Sequence, residues 1–198
     1  MDDIRRQRTL VILKPDSIQR ALVGEIIRRF ERVGLKLTAL KMVVADADMV
    51  EQHYLAEPTW REQVGKKILE NKGGESDGKT AEELGDAVLQ QLKRFMTAGP
   101  IIVMILEGAG AVPLVRKLVG STEPLSSDVG TIRGDFVLDS YQLADGSGRA
   151  IRNAIHASGT PEEAEREIAI WFTSDEIVSY QTVYEHILYD VNFDNDLD

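Results

Sequence analysis

The chain contains no cysteine. That excludes disulfides, thiolate metal sites and a thiol nucleophile, and it fits a reducing compartment. Long apolar runs are missing too. The longest, Ile101 to Leu106, is far shorter than the roughly 20 residues a bilayer-spanning helix needs. The opening "MDDIRRQRTLVIL" mixes acid and base with no small-residue cleavage site behind it, so it does not read as a signal peptide. A cytoplasmic location is expected. Positive charge is also scarce: 23 Lys and Arg stand against 33 Asp and Glu, a formal net charge of −10. Binding duplex nucleic acid rests on broad phosphate neutralisation, so neither a nucleic-acid nor a membrane partner is expected. A small anion can still bind where basic residues cluster.

What is present reads as a folded protein. Hydrophobic residues make up 43% of 198 residues, which suits one domain with a well-buried core. Residues 8–14, "RTLVILK", predict a strand. In the segment that follows, Ile18, Leu22, Val23, Ile26, Ile27, Phe30 and Val33 recur at helical spacing. Asp16 stands as its N-cap with Gln19 three residues on, and Gly34 as its stop. Leu35 to Val44 predicts a second strand, and 46–54 a short helix capped near Asp46. From 55 to about 80 the chain turns polar around "ENKGGESDGK". Ala81 to Met96 is helical, with Leu84, Val88, Leu92 and Phe95 on one face. "GPIIVMILEG" predicts a central strand, 111–119 a helix, and "FVL" at 136–138 a short strand. A second polar insertion spans about 139–150. Thr160, Pro161 and Glu163 mark a strong helix start, and the helix runs to about Phe172. The expected fold is ferredoxin-like α+β, a βαββαβ antiparallel sheet with covering helices. The chain is expected to be one domain with the two insertions and an acidic, frayed C-terminal tail.

Several motifs are decoys. "GGESDGKT", Gly73 to Thr80, fits G-x-x-x-x-G-K-[ST]. A phosphate loop needs a strand leading in and no carboxylates in its cradle. Here a charged amphipathic helix leads in, and Glu75 and Asp77 sit inside. "EGAGAVPLVRKL" has Pro113 where a dinucleotide loop needs its third glycine. The alternating Asp190, Asn192, Asp194, Asp196 and Asp198 lack the turn glycine and the terminal glutamate of a calcium loop.

The histidines are His53, His156 and His186. His156 stands out because it sits just before a well-capped helix start, a phosphate-favouring place. Ser158 and Thr160 add hydroxyls, and Glu167 on the following helix can fold back to orient the ring. A neutral imidazole is a nucleophile near pH 7 without a strong base. Phosphoryl transfer needs chiefly positioning and positive charge, which Lys14, Arg116 and Arg133 supply if the fold gathers them.

With these residues in place, the sequence resembles the nucleoside diphosphate kinase family. The segments that carry the resemblance are "RTLVILKPDSIQRALVGEIIRRFERVGLKL", "HY" at 53–54, "AGPIIVMILEG", "VGSTEPLSSDVGTIRGDF" and "RNAIHASGTPEEAEREIAIWF", in family order. The resemblance implies γ-phosphate transfer from a nucleoside triphosphate to His156 and then to a nucleoside diphosphate, in ping-pong fashion, with Mg²⁺ riding on the phosphates. By motif position, Lys14 would touch ribose and phosphates, Asn153 the ribose hydroxyl, and Arg116, Thr122 and Arg133 phosphate oxygens. Tyr54 and Glu167 would set the histidine, with Ser158 nearby. The loop from Gly120 to Gly130 implies a homo-oligomer, commonly a hexamer. Two departures stand out. Gly159 replaces the family's usual aspartate near the phosphates. The first insertion removes the usual base-stacking aromatic, for which Trp60 or Phe95 is the candidate substitute. Two rival readings are an RNA-binding module and a catalytically silent relative. The first lacks a sheet aromatic pair, and the second is at odds with an intact phosphate-handling set.

Overall fold

The computed structural model describes residues 4–71, 73–74 and 78–189. Strand β1 (Gln7–Leu13) is buried on both faces from Thr9 onward. It is flanked on one side by β3 (Ile101–Gly108), antiparallel from Gln7↔Gly108 to Leu13↔Ile102. β2 (Lys36–Val43) pairs with the far side of β3. The fourth strand, β4 (Ile155–Ala157), lies antiparallel on the free side of β1, with Ile12 opposite His156. The order is β2-β3-β1-β4, all neighbours antiparallel, the ferredoxin-like α+β arrangement.

The period-2 alternation of each strand divides the core in two. Leu10, Ile12, Val103 and Ile105 face α3 (Ala47–Leu55), α5 (Ala81–Met96) and α9 (Pro161–Trp171). Val11, Leu13, Ile102, Met104, Ile155 and Ala157 face α2 (Val23–Glu31) and α6 (Ala111–Val119). This alternation puts Ile155 and Ala157 on the second face and leaves His156 on the first, towards α9.

Three expectations are corrected. The helix expected from Asp16 to Gly34 is two helices, α1 (Pro15–Gln19) and α2, broken at Ala21 with φ 55°. Lys14, not Asp16, is the cap position of α1, and Pro15 occupies its first turn. "FVL" is not a strand. Phe136 ends a short helix α7 (Ile132–Phe136), and Leu138 is 95% exposed with no strand to pair with. The buried face of α5 runs through Gly85, Leu89, Leu92, Phe95 and Met96, so Leu84 and Val88 lie at its margin.

The stretch expected as the first insertion contributes α4 (Trp60–Asn71), which packs against α5 as a helical hairpin. Two glycines let the helices touch backbone to backbone: a Cβ on Gly65 would lie 1.7 Å from the Ala81 carbonyl oxygen, and one on Gly85 2.2 Å from that of Arg61. A helix therefore leads into "GGESDGKT", and Thr80 spends its hydroxyl capping α5 through Glu83 N–H. Lys79 is exposed. The segment stands between α4 and α5 in the chain, and Glu75 and Asp77 fall outside the described residues. The second insertion forms α8 (Tyr141–Gly146). A last helix, α10 (Val183–Tyr189), follows, and the expected tail at 190–198 lies outside the described residues. No helix among them is long and apolar enough to cross a membrane.

Candidate active site

The short run Arg152 to Ser158 is held by atoms from far along the chain. Ala154 sits at φ 63°, a left-handed conformation that costs a non-glycine residue on the order of 1 kcal/mol. Three bonds from the "KPDS" segment hold it there. Asp16 Oδ2 accepts from Ala154 N–H at 3.0 Å. Ser17 Oγ and the Lys14 N–H both donate to the Ala154 carbonyl, at 2.7 and 2.8 Å. The turn sends Asn153 to one side and feeds β4 to the other. The role of this motif is thus partly architectural: it aims the strand that carries His156.

At His156 the geometry assigns the proton. His156 Nε2 lies 2.8 Å from Glu167 Oε1, and Ser158 Oγ lies 2.5 Å from Glu167 Oε2. Burial alone would raise the Glu167 pKa. The neighbouring His156, its hydrogen bond, His53 and Ser158 outweigh that and hold it down to about 2. An ionised carboxylate only accepts, so Nε2 carries the hydrogen. The lone pair of His156 Nδ1 is then free. Ser158 is itself fixed, since its oxygen accepts the Leu10 N–H of β1 at 3.2 Å. The chain of bonds runs from β1 backbone through Ser158 and Glu167 to the ring.

His53, which the sequence does not single out, packs edge-on against His156 with ring centroids 4.5 Å apart. Its Nδ1 accepts from Trp171 Nε1–H at 3.2 Å. Burial, then the adjacent His156, push its pKa down to about 3, so it is a neutral prop that does not compete for the proton. Its position just before Tyr54 was the available signal. His53, His156 and Glu167 form a cluster close enough to suggest a metal site. However, Glu167 Oε1 is taken by His156 and His53 Nδ1 by Trp171. Mg²⁺ moreover prefers oxygen ligands. The cluster does not fit it.

A cleft of about 400 Å³ opens in front of His156, a size that suits a small ligand. Lys14, Tyr54, Arg116, Thr122, Arg133, Asn153 and His156 all line it. Glu167 and Ser158 lie behind the histidine, buried at 2% and 0% exposure. The expected set is therefore brought together. Lys14 is nearly buried and donates to Asn153 Oδ1 at 2.7 Å. Burial and then the Arg133 charge push its pKa down to about 7. The Tyr54 hydroxyl is buried with no partner among the described residues, and burial raises its pKa, so it remains a donor. Arg133 is more engaged than the sequence implies. Its guanidinium donates to the carbonyls of Gly120, Ser121, Asn153 and Ile155 at 2.6 to 3.1 Å. One of its five N–H donors remains.

The insertions supply the remaining walls, which sequence reasoning missed because both read as polar. Val64 and Ile68 of α4, Ala144 of α8, Ala150 and Ile151 all line the cleft. They give the cleft an aliphatic share of wall beside polar Lys67, Asn71, Asp145 and Arg149. Trp60 also lines it but leans on Tyr54, centroids 5.4 Å apart. Phe95 does not line it; it is a buried shelf under Lys14 and Arg152. At Gly159, the side chain of Glu163 fills the place a residue would occupy. Its Oε2 accepts from Gly159 N–H at 2.7 Å and would lie 2.6 Å from a Cβ there. Glu163 thus leaves the reciprocal bond of its own helix cap, which Thr160 alone provides.

Comparison with known proteins agrees with this geometry. A model of the nucleoside diphosphate kinase family matches residues 7–177. The nucleoside diphosphate kinase of Pyrobaculum aerophilum is 46% identical over 179 residues, covering 87% of this chain and 98% of the relative. A crystal structure of an NDP kinase from the same organism superposes with a TM-score of 0.83, at 44% identity over 88% of this chain and all of the other. A transition-state mimic of nucleoside-diphosphate kinase from Borrelia burgdorferi, with bound vanadate and ADP, has a TM-score of 0.75. It is 37% identical and covers 91% of this chain and 95% of its own.

Proposed function

Because the chain belongs to the nucleoside diphosphate kinase family, we propose that His156 Nδ1 is the atom that carries the phosphoryl group. The enzyme transfers the γ-phosphate of a nucleoside triphosphate to a nucleoside diphosphate through a phosphohistidine. The observation that supports Nδ1 is the ionised Glu167 on Nε2. In the first half-reaction Nδ1 attacks the γ-phosphorus, the bond to the β–γ bridging oxygen breaks, and the diphosphate leaves. Positive charge grows on the ring while Glu167 keeps the Nε2 proton hydrogen-bonded. In the second half a terminal oxygen of another diphosphate attacks the phosphorus and the P–N bond breaks. Positioning and electrostatics do most of this work. Lys14, Arg116, Thr122 and Arg133 line the cleft as phosphate ligands, Asn153 as the ribose ligand, and Tyr54 offers a free hydroxyl. The aliphatic lining residues receive the base, and the vanadate and ADP held by the Borrelia relative give the class of occupant.

Mg²⁺ fits this site as a passenger on the phosphates. Glu163 lines the cleft and is the carboxylate placed at Gly159, where it can hold the ion's water shell. When bound, the ion neutralises charge on the phosphates. Exposed Leu125, Val129 and Leu138, at 75–95%, support a homo-oligomer through the 120–138 segment, a hexamer by family resemblance, which light scattering measures directly. The functional test is kinetic. Initial rates with varied ATP at several fixed diphosphate concentrations should give parallel reciprocal plots. Intersecting lines would remove the covalent intermediate.

Lys14 adds a protonic signature. Its pKa near 7 leaves the amine mostly neutral at pH 8, and a bound anionic phosphate favours the ammonium. Binding of a nucleoside diphosphate at pH 8, where the ligand is already ionised, should therefore take up a proton. Calorimetry in Tris should then show a less exothermic heat than in a buffer of small ionisation enthalpy. Equal heats would show that Lys14 is charged before the ligand arrives.

A further inference from the structure

The inserted helix α4 turns one face to the cleft: Trp60, Val64, Lys67, Ile68 and Asn71 all line it. These positions follow the i, i+4, i+7, i+8, i+11 rhythm of a single helical stripe. Lys67 is the one cation on that stripe. It also lines the recess next to the cleft, together with Arg116, Ser121, Thr122, Glu123 and Tyr141. Lys67, Arg116 and Thr122 line both, so Lys67 stands where the two adjoin.

Several charges near it are engaged elsewhere. Lys66, next in sequence, pairs with Glu62 at 2.6 Å, and Arg61 pairs with Asp86 and Glu51. Glu123 accepts the Tyr141 N–H at 2.9 Å. Among the described residues no ion pair or side-chain hydrogen bond involves Lys67, and none involves Arg116. Lys67 and Arg116 thus line one cleft without such partners among the described residues, in a chain of net charge −10. The setting of Lys67 is firm, because α4 is locked to α5 through the glycine contacts at Gly65 and Gly85.

We propose that Lys67 binds the non-transferred phosphates of the nucleotide, so that the first insertion contributes a substrate-binding residue to the site. The proposal rests on the nucleotide reading of the cleft. Lys14 and Asn153 serve the His156 end, and Lys67 closes the opposite side of the phosphate channel with Arg116.

The test is direct binding of ADP by calorimetry, without turnover, to the intact protein and to Lys67→Ala, Lys67→Arg and Lys66→Ala. A charge-assisted contact predicts that Lys67→Ala weakens ADP about 10- to 100-fold. Lys67→Arg should stay near wild type, and Lys66→Ala should be unchanged. The salt dependence of the affinity should also flatten in Lys67→Ala, as expected when one cation–phosphate contact is lost. Wild-type affinity in Lys67→Ala, or an equal loss in Lys66→Ala, overturns the proposal. The nucleotide reading fails separately: it falls if the wild-type protein binds no ADP and forms no phosphohistidine.

Discussion

Replacing His156 by glutamine is expected to lower phosphoryl transfer at least about 10⁴-fold, the scale seen when a covalent nucleophile is removed. The same variant should lose all labelling by γ-phosphate-labelled ATP, where the wild type gives an acid-labile, base-stable phosphoprotein. The argument is local. Only His156 combines a ring nitrogen freed by an ionised partner, at 2.8 Å from Glu167, with a place on the wall of a basic cleft. His53 is no substitute. It is 3% exposed, its Nδ1 is engaged by Trp171, and it does not line the cleft. His186 lies on α10 and does not line it either. The fold should survive, since His156 is partly exposed and glutamine fits a three-residue strand. A melting temperature close to wild type would therefore accompany the loss. Retained labelling in the variant would move the covalent role to another residue.

The residues proposed for this chemistry were legible because motif spacing carries them: Lys14, Tyr54, Arg116, Thr122, Arg133, Asn153, His156, Ser158 and Glu167 lie at one cleft or directly behind it. The sheet was legible in β1, β2 and β3, whose apolar runs have clear ends. What failed depends on non-local partners. The break at Ala21 has no glycine or proline to announce it. It coincides with the tie between α1 and the Ala154 turn, more than a hundred residues away. β4 is a three-residue strand in a polar setting, and its status comes from pairing with β1. "FVL" has the better strand composition but no open edge beside it. Glu163 reads as a capping residue and is drawn instead to the space left by Gly159. The first insertion reads as polar, a charged amphipathic helix, since the apolar stripe of α4 is interrupted by Lys67 and Asn71. Those polar breaks make sense only once the stripe is seen to face a cleft and not a core.

Arg133→Ala should cost both the fold and the reaction, and the structural loss should be the larger surprise. The side chain is 7% exposed and reads by motif as a phosphate ligand. In the structure it first serves as a clamp. Nε and both terminal nitrogens donate to four carbonyls: Gly120 and Ser121 just after α6, and Asn153 and Ile155 at the entry to β4. Burial, then the nearby Arg116, lower its pKa to about 10, so it remains charged at neutral pH. Alanine would leave those buried carbonyls short of donors and open a void. Such losses are not additive, and about 3–5 kcal/mol is the scale for breaking a buried charged network. In a chain of this size that is a drop of roughly 10 °C or more in Tm. Lysine should rescue little, because one ammonium cannot span carbonyls on both segments as a planar fork does. Transfer should fall about 100-fold or more even at a temperature where the variant is folded, since the clamp sets the spacing between Thr122 and Asn153. A second consequence concerns Lys14. The Arg133 charge helps hold the Lys14 pKa near 7, so its removal should raise that pKa and shrink the proton uptake on nucleotide binding at pH 8. Urea unfolding, transfer rate and buffer-dependent calorimetry on the same variant separate these effects. Wild-type stability with only weakened nucleotide binding would mean that Arg133 is a phosphate ligand and not a clamp.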